Sequence, residues 1–156
     1  MKFANKEFKD YWEIIKIPAY ILIAWSILGL IISIISFSLY VTIFSSLASW
    51  LLTIAVFGFI GWTTIKDHKE TIKIAVWSGA LAGIISGFIG AILGIIMFYL
   101  VPEVIQAAIA QAGANAAAVE SFIAIGIYIG LITGPLFSAI IGAIISAIAA
   151  LIAKRM

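Results

Sequence analysis

Few side chains in this sequence are able to do chemistry, and their positions exclude most of it. One histidine, His68, stands in the stretch Lys66-Asp67-His68-Lys69-Glu70. A lone imidazole cannot by itself make a metal site, and its charged neighbours make it a solvated loop residue. There are no cysteines, which removes disulfides, thiolate metal sites, iron–sulfur clusters and a Cys nucleophile. Three long runs, residues 17–65, 74–102 and 121–153, contain no Asp, Glu, Lys, Arg or His at all. Within them only Ser and Thr could react. Hydrolysis needs an acid–base partner beside the nucleophile, and proton relays, ion-coupled carriers and voltage sensors need ionisable groups at depth. The expectation is a protein without catalytic, cofactor-binding or metal-binding residues, and not an enzyme.

Milder hydroxyl chemistry remains, namely hydrogen bonding to a neutral solute or to another helix. Gly79–Gly87 reads GALAGIISG and Gly126–Gly134 reads GIYIGLITG, a shared pattern of G-x-x-x-G-[IL]-I-[ST]-G displaced by 47 residues. The pattern puts Ser86 and Thr133 at equivalent places, a candidate midplane polar site. Ser26, Gly29, Ser33 and Ser36 form one weaker hydroxyl stripe, and Ser45, Ser49 and Thr53 another. Such groups in membranes mostly hydrogen-bond across helices, worth about 0.6 kcal/mol each.

Glycine spacing carries the second signal. Gly79, Gly83 and Gly87 recur every four residues, then Gly90 and Gly94 at the same interval; Gly126, Gly130 and Gly134 repeat it, with Gly142 beyond. Small residues four apart let another helix's backbone approach closely. These nine glycines are expected to pack helices, first within the chain and second between subunits. A midplane binding site at an inverted repeat is a third reading. Gly134-Pro135 falls inside a span, and Pro135 is expected to kink it, with Thr133 or Ser138 bonding the freed carbonyl.

The elements that must position these residues follow from the charges. The 156 residues are 65% hydrophobic and 10% charged, with a mean hydropathy of +1.26, which fits no soluble class. All nine Lys and Arg lie in residues 1–16, 66–73 and 154–155. The net charge of +2 reflects that topology and gives no sign of a nucleic-acid partner. The first charge-free run, 49 residues, would be about 73 Å long as one helix, more than twice the hydrocarbon core. It is therefore read as two spans.

The expected fold is an all-α integral membrane protein, a four-transmembrane-helix bundle preceded by an N-terminal interfacial amphipathic helix over residues 1–16. The spans are placed at about residues 17–37, 46–65, 71–101 and 121–153 within a domain of residues 17–156. Pro18 is placed in the first turn of the first span, and residues 38–45 form the turn to the second. An Ala-rich outer segment, 102–120, is read as two short helices, with Asn115 capping the second.

Asn5 is expected to cap the amphipathic helix, whose Phe8, Tyr11, Trp12 and Ile15 share one face. Phe8, Tyr11 and Trp12 are expected at the membrane interface, joined by Trp62 and Trp77 around the short loop. Clustered cations predict that both termini lie on the cytoplasmic side of the cell membrane. The long third and fourth spans must tilt, protrude or sit in a thick membrane.

The leading functional expectation is a non-catalytic membrane protein that packs through its glycines. It would be a self-associating scaffold or an accessory subunit of a complex, its partners the lipid bilayer and itself or other membrane subunits. A small uncoupled channel or facilitator for a neutral or lipophilic solute is the alternative, and a holin-like membrane-perturbing protein the third.

Overall fold

The computed structural model describes residues 2–3, 6–44, 47–112 and 116–156. Its elements are β1 (Lys2–Phe3), β2 (Lys6–Glu7), α1 (Phe8–Ile35), α2 (Phe37–Phe44), α3 (Leu47–Lys66), α4 (Ile72–Leu100), α5 (Pro102–Ala112) and α6 (Ala116–Arg155). Four helices are long and apolar enough to cross a membrane, so the chain is an all-α membrane bundle. Large apolar side chains such as Leu28, Phe88, Ile132, Phe137 and Ile148 are exposed on its surface, as suits a solvent of lipid tails.

Three expectations need correction. The amphipathic segment and the first span are one helix, with no break at Lys16 or Ile17. Asn5 lies outside the described residues. The helix is instead capped at Glu7, whose backbone N–H donates to the Asp10 carboxylate over 2.9 Å. Pro18 sits in the third turn, buried with Tyr11, Ile14, Ile15, Ala19 and Leu22 on the inward face. Burial of that face holds the helix together where the proline removes one hydrogen bond.

The supposed turn over 38–45 is mostly the short helix α2. Phe44 of α2 folds back on α1, its ring 4.6 Å from that of Trp25. The outer segment contains one separate helix, α5, started by Pro102 after α4 ends. The second expected short helix is the beginning of α6, a single helix of 40 residues. Residues 113–115, including the proposed cap Asn115, lie outside the described residues.

The glycine contacts give the helix directions. Gly79 meets Gly142, Gly83 meets Ser138 and Gly87 meets Gly134, so α4 and α6 run antiparallel. Gly61 meets Ser146 while Phe57 meets Gly142, so α3 and α6 run parallel. α4 packs most extensively on α6, α3 also touches both, and α1 lies against α4 and α3 at the corner opposite α6. This up-and-down order brings residues 2–3, 6–16, 66–73 and 154–155 to one end, called here the cationic end.

The core is concentrated there. Tyr11, Ile14, Ile15, Leu22, Val56, Phe57, Ile60, Ile74 and Ala82 form one buried cluster. In the loop from α3 to α4, Lys69 takes a left-handed backbone conformation (φ 53°). The Thr71 hydroxyl caps α4 by accepting from the Ile74 N–H over 3.4 Å. β1 and β2 form a two-stranded antiparallel pair, and Lys6 in β2 makes an ion pair with Glu70 of that loop.

Candidate functional site

The nine glycines divide into two groups along the same two helices. A methyl group added at Gly79, Gly83 or Gly142 would overlap a backbone carbonyl of the facing helix, that of Gly142, Ser138 or Gly79 respectively. At Gly87 it would lie 2.8 Å from the Pro135 Cα. Here α4 and α6 are in backbone contact. A methyl at Gly134 would meet Ala91 at an ordinary 3.9 Å. At Gly90, Gly94, Gly126 and Gly130 it would meet nothing within 4 Å. Beyond Gly87 the two helices therefore part.

The space they leave is a cavity of about 670 Å³, within the range usual for ligand sites. It runs from the middle of the bundle toward the end away from the cations. Its deep end is formed by Leu22, Thr53, Phe57, Ser86, Gly87 and Ser138; Gly90, Gly94 and Gly130 flank it higher up. Trp25, Phe44 and Trp50 provide aromatic surface. Trp50 is also 58% exposed. A smaller space of about 240 Å³ shares Trp25, Ser26, Phe44 and Gly94 and extends to Tyr40 and Met97.

No charged side chain lines either space. Each spanning helix contributes a hydroxyl to the larger one: Ser26 from α1, Ser49 and Thr53 from α3, Ser86 from α4 and Ser138 from α6. Most of their protons are already engaged. Ser26 donates to the Leu22 carbonyl at 2.9 Å, Thr53 to the Ser49 carbonyl at 2.9 Å and Ser86 to the Gly83 carbonyl at 3.3 Å. Ser49 accepts the indole N–H of Trp25 at 3.2 Å. Of the residues in the two hydroxyl stripes, Ser49 thus bonds across helices, to Trp25, whereas Ser26, Ser33 and Thr53 donate to carbonyls of their own helices.

Ser86 and Thr133 are not brought together. Ser86 lines the cavity, but Thr133 is on the exposed face of α6 and donates to the Ile129 carbonyl at 3.1 Å. The cause is angular: one residue along a helix turns the side chain by about 100°, so Gly134 lines the cavity and Thr133 cannot. Nor does Thr133 bond the Leu131 carbonyl, the one deprived of its donor by Pro135. α6 is continuous through Pro135, which is buried against α4.

The aromatic residues expected at a membrane interface also divide. Phe8 is 52% exposed, and Trp62 and Trp77 are more than a third exposed; the Lys66 amine lies 5.8 Å from the Trp62 ring. Tyr11, by contrast, is fully buried in the core. It is a packing residue and not an interface anchor, because its face of α1 is the one turned toward α3 and α4.

Sequence reasoning missed the buried hydroxyls of the cationic half. Ser146 donates to the Phe57 carbonyl across α6 and α3 at 2.9 Å. Thr64 donates to the Ile60 carbonyl at 2.6 Å, and the buried Ser78 hydroxyl has no partner among the described residues. Gly142 and Ser146, four apart, were the available sign of close packing there. Among the described residues no group of His, Asp and Glu is placed to hold a metal ion.

The geometry defines a class: a four-helix membrane bundle, closely packed at one end and hollow at the other, with an uncharged cavity. No family model, curated protein or solved structure matches the chain.

Proposed function

We propose that this is a non-catalytic membrane protein that takes a neutral, lipophilic molecule into the cavity between α1, α3, α4 and α6, as a binder or uncoupled facilitator. The observation that carries this reading is the uncharged lining with one hydroxyl from each spanning helix. Such a lining would leave a carboxylate, phosphate or ammonium unpaired in a dry site, which is costly. It would accept an apolar body with few polar atoms.

Reconstitution into proteoliposomes tests it, with flux and binding followed for a panel of uncharged solutes. Uptake that Gly90→Leu or Ser86→Leu abolishes is expected. Neither flux nor binding across the panel would overturn the proposal.

The scaffold reading is second and has its own support. Gly90, Gly94, Gly126 and Gly130 leave room for another backbone, whereas Gly79, Gly83, Gly87 and Gly142 are already occupied within the chain. A helix of a second copy or of another subunit would then fill the gap. Purification from native membranes in mild detergent, read by native mass spectrometry, separates the two. A stoichiometric protein companion lost in Gly130→Leu favours the scaffold.

A further inference from the structure

Two buried polar groups of the cationic half lack the partner their chemistry calls for, and they stand on neighbouring helices. Ser78 of α4 is fully buried, and its hydroxyl has no hydrogen-bond partner among the described residues. Pro18 of α1 is fully buried as well. Having no N–H, it cannot donate to the carbonyl four residues earlier, that of Ile14. Ile14 is itself only 6% exposed.

Packing brings the two groups to one level. Ile14 and Leu22 of α1 join Ile74 and Ala82 of α4 in one buried cluster. Pro18 and Ser78 are the middle members of those two stripes, each four residues from its neighbours. Both helices start at the cationic end and run the same way, so equal spacing keeps the stripes in register. A helical carbonyl points along the axis toward the residue four ahead. The Ile14 oxygen is therefore directed at Pro18, level with the Ser78 hydroxyl. The buried residues beside them, Ala19, Ala75, Gly79 and Ala82, are small and put little bulk between the helices.

One group is a donor without an acceptor, and the other an acceptor without a donor. They do not bond directly, because the Ser78 hydroxyl has no acceptor within reach. Leaving both unpaired in an apolar interior is costly. In membrane helices a carbonyl freed by proline is met by a neighbouring helix, a hydroxyl side chain or an ordered water.

We propose that one water molecule is bound between α1 and α4, accepting the Ser78 O–H and donating to the Ile14 carbonyl. A buried water needs at least two polar partners, and these are two. Ser78 lies six residues into α4, about 9 Å from its start, which gives the water a short way in from the loop. The water replaces the donor that Pro18 removes from α1. It ties that helix to α4 one turn below Leu22, part of the deep end of the cavity, whatever the cavity holds.

Solid-state NMR on the full chain in lipid bilayers tests this, with magnetisation started on water protons and read on carbon. Transfer is expected to the Ile14 carbonyl and the Ser78 Cβ at mixing times too short to reach Ile60 and Ala82 of the same cluster. Ser78→Ala should abolish the transfer to Ile14. It should also lower the folding equilibrium constant about three- to tenfold, the effect of one hydrogen bond. Pro18→Ala gives Ile14 its helical donor back, so in that background Ser78→Ala should change the constant by less than about twofold.

Absence of transfer to Ile14 in the wild type overturns the bound water, even if the two substitutions are coupled, since coupling alone would mean a direct bond. Transfer to Ile14 that survives Ser78→Ala unchanged overturns Ser78 as the water's partner. Equal losses from Ser78→Ala in both backgrounds overturn the link to Pro18.

Discussion

The Ser146 hydroxyl of α6 donates to the Phe57 carbonyl of α3 over 2.9 Å, fully buried and 89 residues apart in the chain. It joins two parallel helices where Gly61 lets the Ser146 backbone come close. Removing it with Ser146→Ala leaves the carbonyl its own helical partner, so the loss is modest. A destabilisation of about 0.5–1.5 kcal/mol is expected, read from unfolding in mixed detergent micelles. Ser146→Val should cost more, because its branches meet the Gly79 and Gly61 backbone. Equal stability of all three proteins would show that the bond contributes nothing.

The glycine groups predict opposite outcomes for one kind of substitution. Gly79→Ala and Gly83→Ala place a methyl on a facing carbonyl, and backbone cannot move aside cheaply; a loss of about 1–3 kcal/mol is expected for each. Gly90→Ala and Gly94→Ala meet open space and should be neutral or stabilising by about 0.5 kcal/mol, the helix preference of Ala over Gly. Thermal unfolding of the four variants in the same detergent decides this. A ranking that mixes the two groups would contradict the parting of α4 and α6 at Gly87.

Lys6 is held above the ordinary lysine range, first by its hydrogen bond to Glu70; desolvation, the next largest effect, opposes this, and the charge of that carboxylate adds to the rise. A raised folded-state value means the stabilisation is fully present below the unfolded lysine pKa, about 10.4. It is lost as pH rises through the folded value. Both side chains are partly exposed, so the pair is worth at most about 1 kcal/mol. The wild type should be slightly more stable than Lys6→Gln at pH 8, and the difference should vanish in strongly alkaline solution. A difference that persists unchanged at high pH would assign the effect to packing of the lysine stem.

Trp25→Phe removes the N–H that reaches Ser49 but keeps a ring against Phe44. A loss near 0.6 kcal/mol is expected, the usual size of a polar contact between membrane helices. Ser49→Ala should cost the same, and the double variant no more than either alone. Additive losses in that cycle would show that the two side chains act independently.

Charge-free runs located the spanning helices to within a few residues at most ends: α3 and α4 begin and end within one residue of the expected 46–65 and 71–101. The first boundary was misread because Pro18 beside the charged Lys16 has the look of a helix start. Only the burial of Tyr11, Ile14 and Pro18 reveals a helix that continues through. The glycine pattern was legible as a pattern, but its division was not. Gly83 and Gly90 stand in similar local sequence, and only the angle at which α4 crosses α6 leaves one in contact and the other beside a void. For the same reason the cavity has no signature in the chain. Ser26, Thr53, Ser86 and Ser138 are ordinary in their own helices and become a site only through the parting of two of them.

The contact at Gly87 and Gly134 has a mechanical meaning. Below it the backbones of α4 and α6 touch, with only the short Ser138 and Ser146 side chains beside the contact. Above it lies a free arm of 13 residues to the end of α4, about 20 Å long. A rotation of α6 against α4 must therefore turn on these two glycines as on a fulcrum. A tilt of about 10° there displaces the far tip by roughly 3 Å and leaves the cationic end almost stationary.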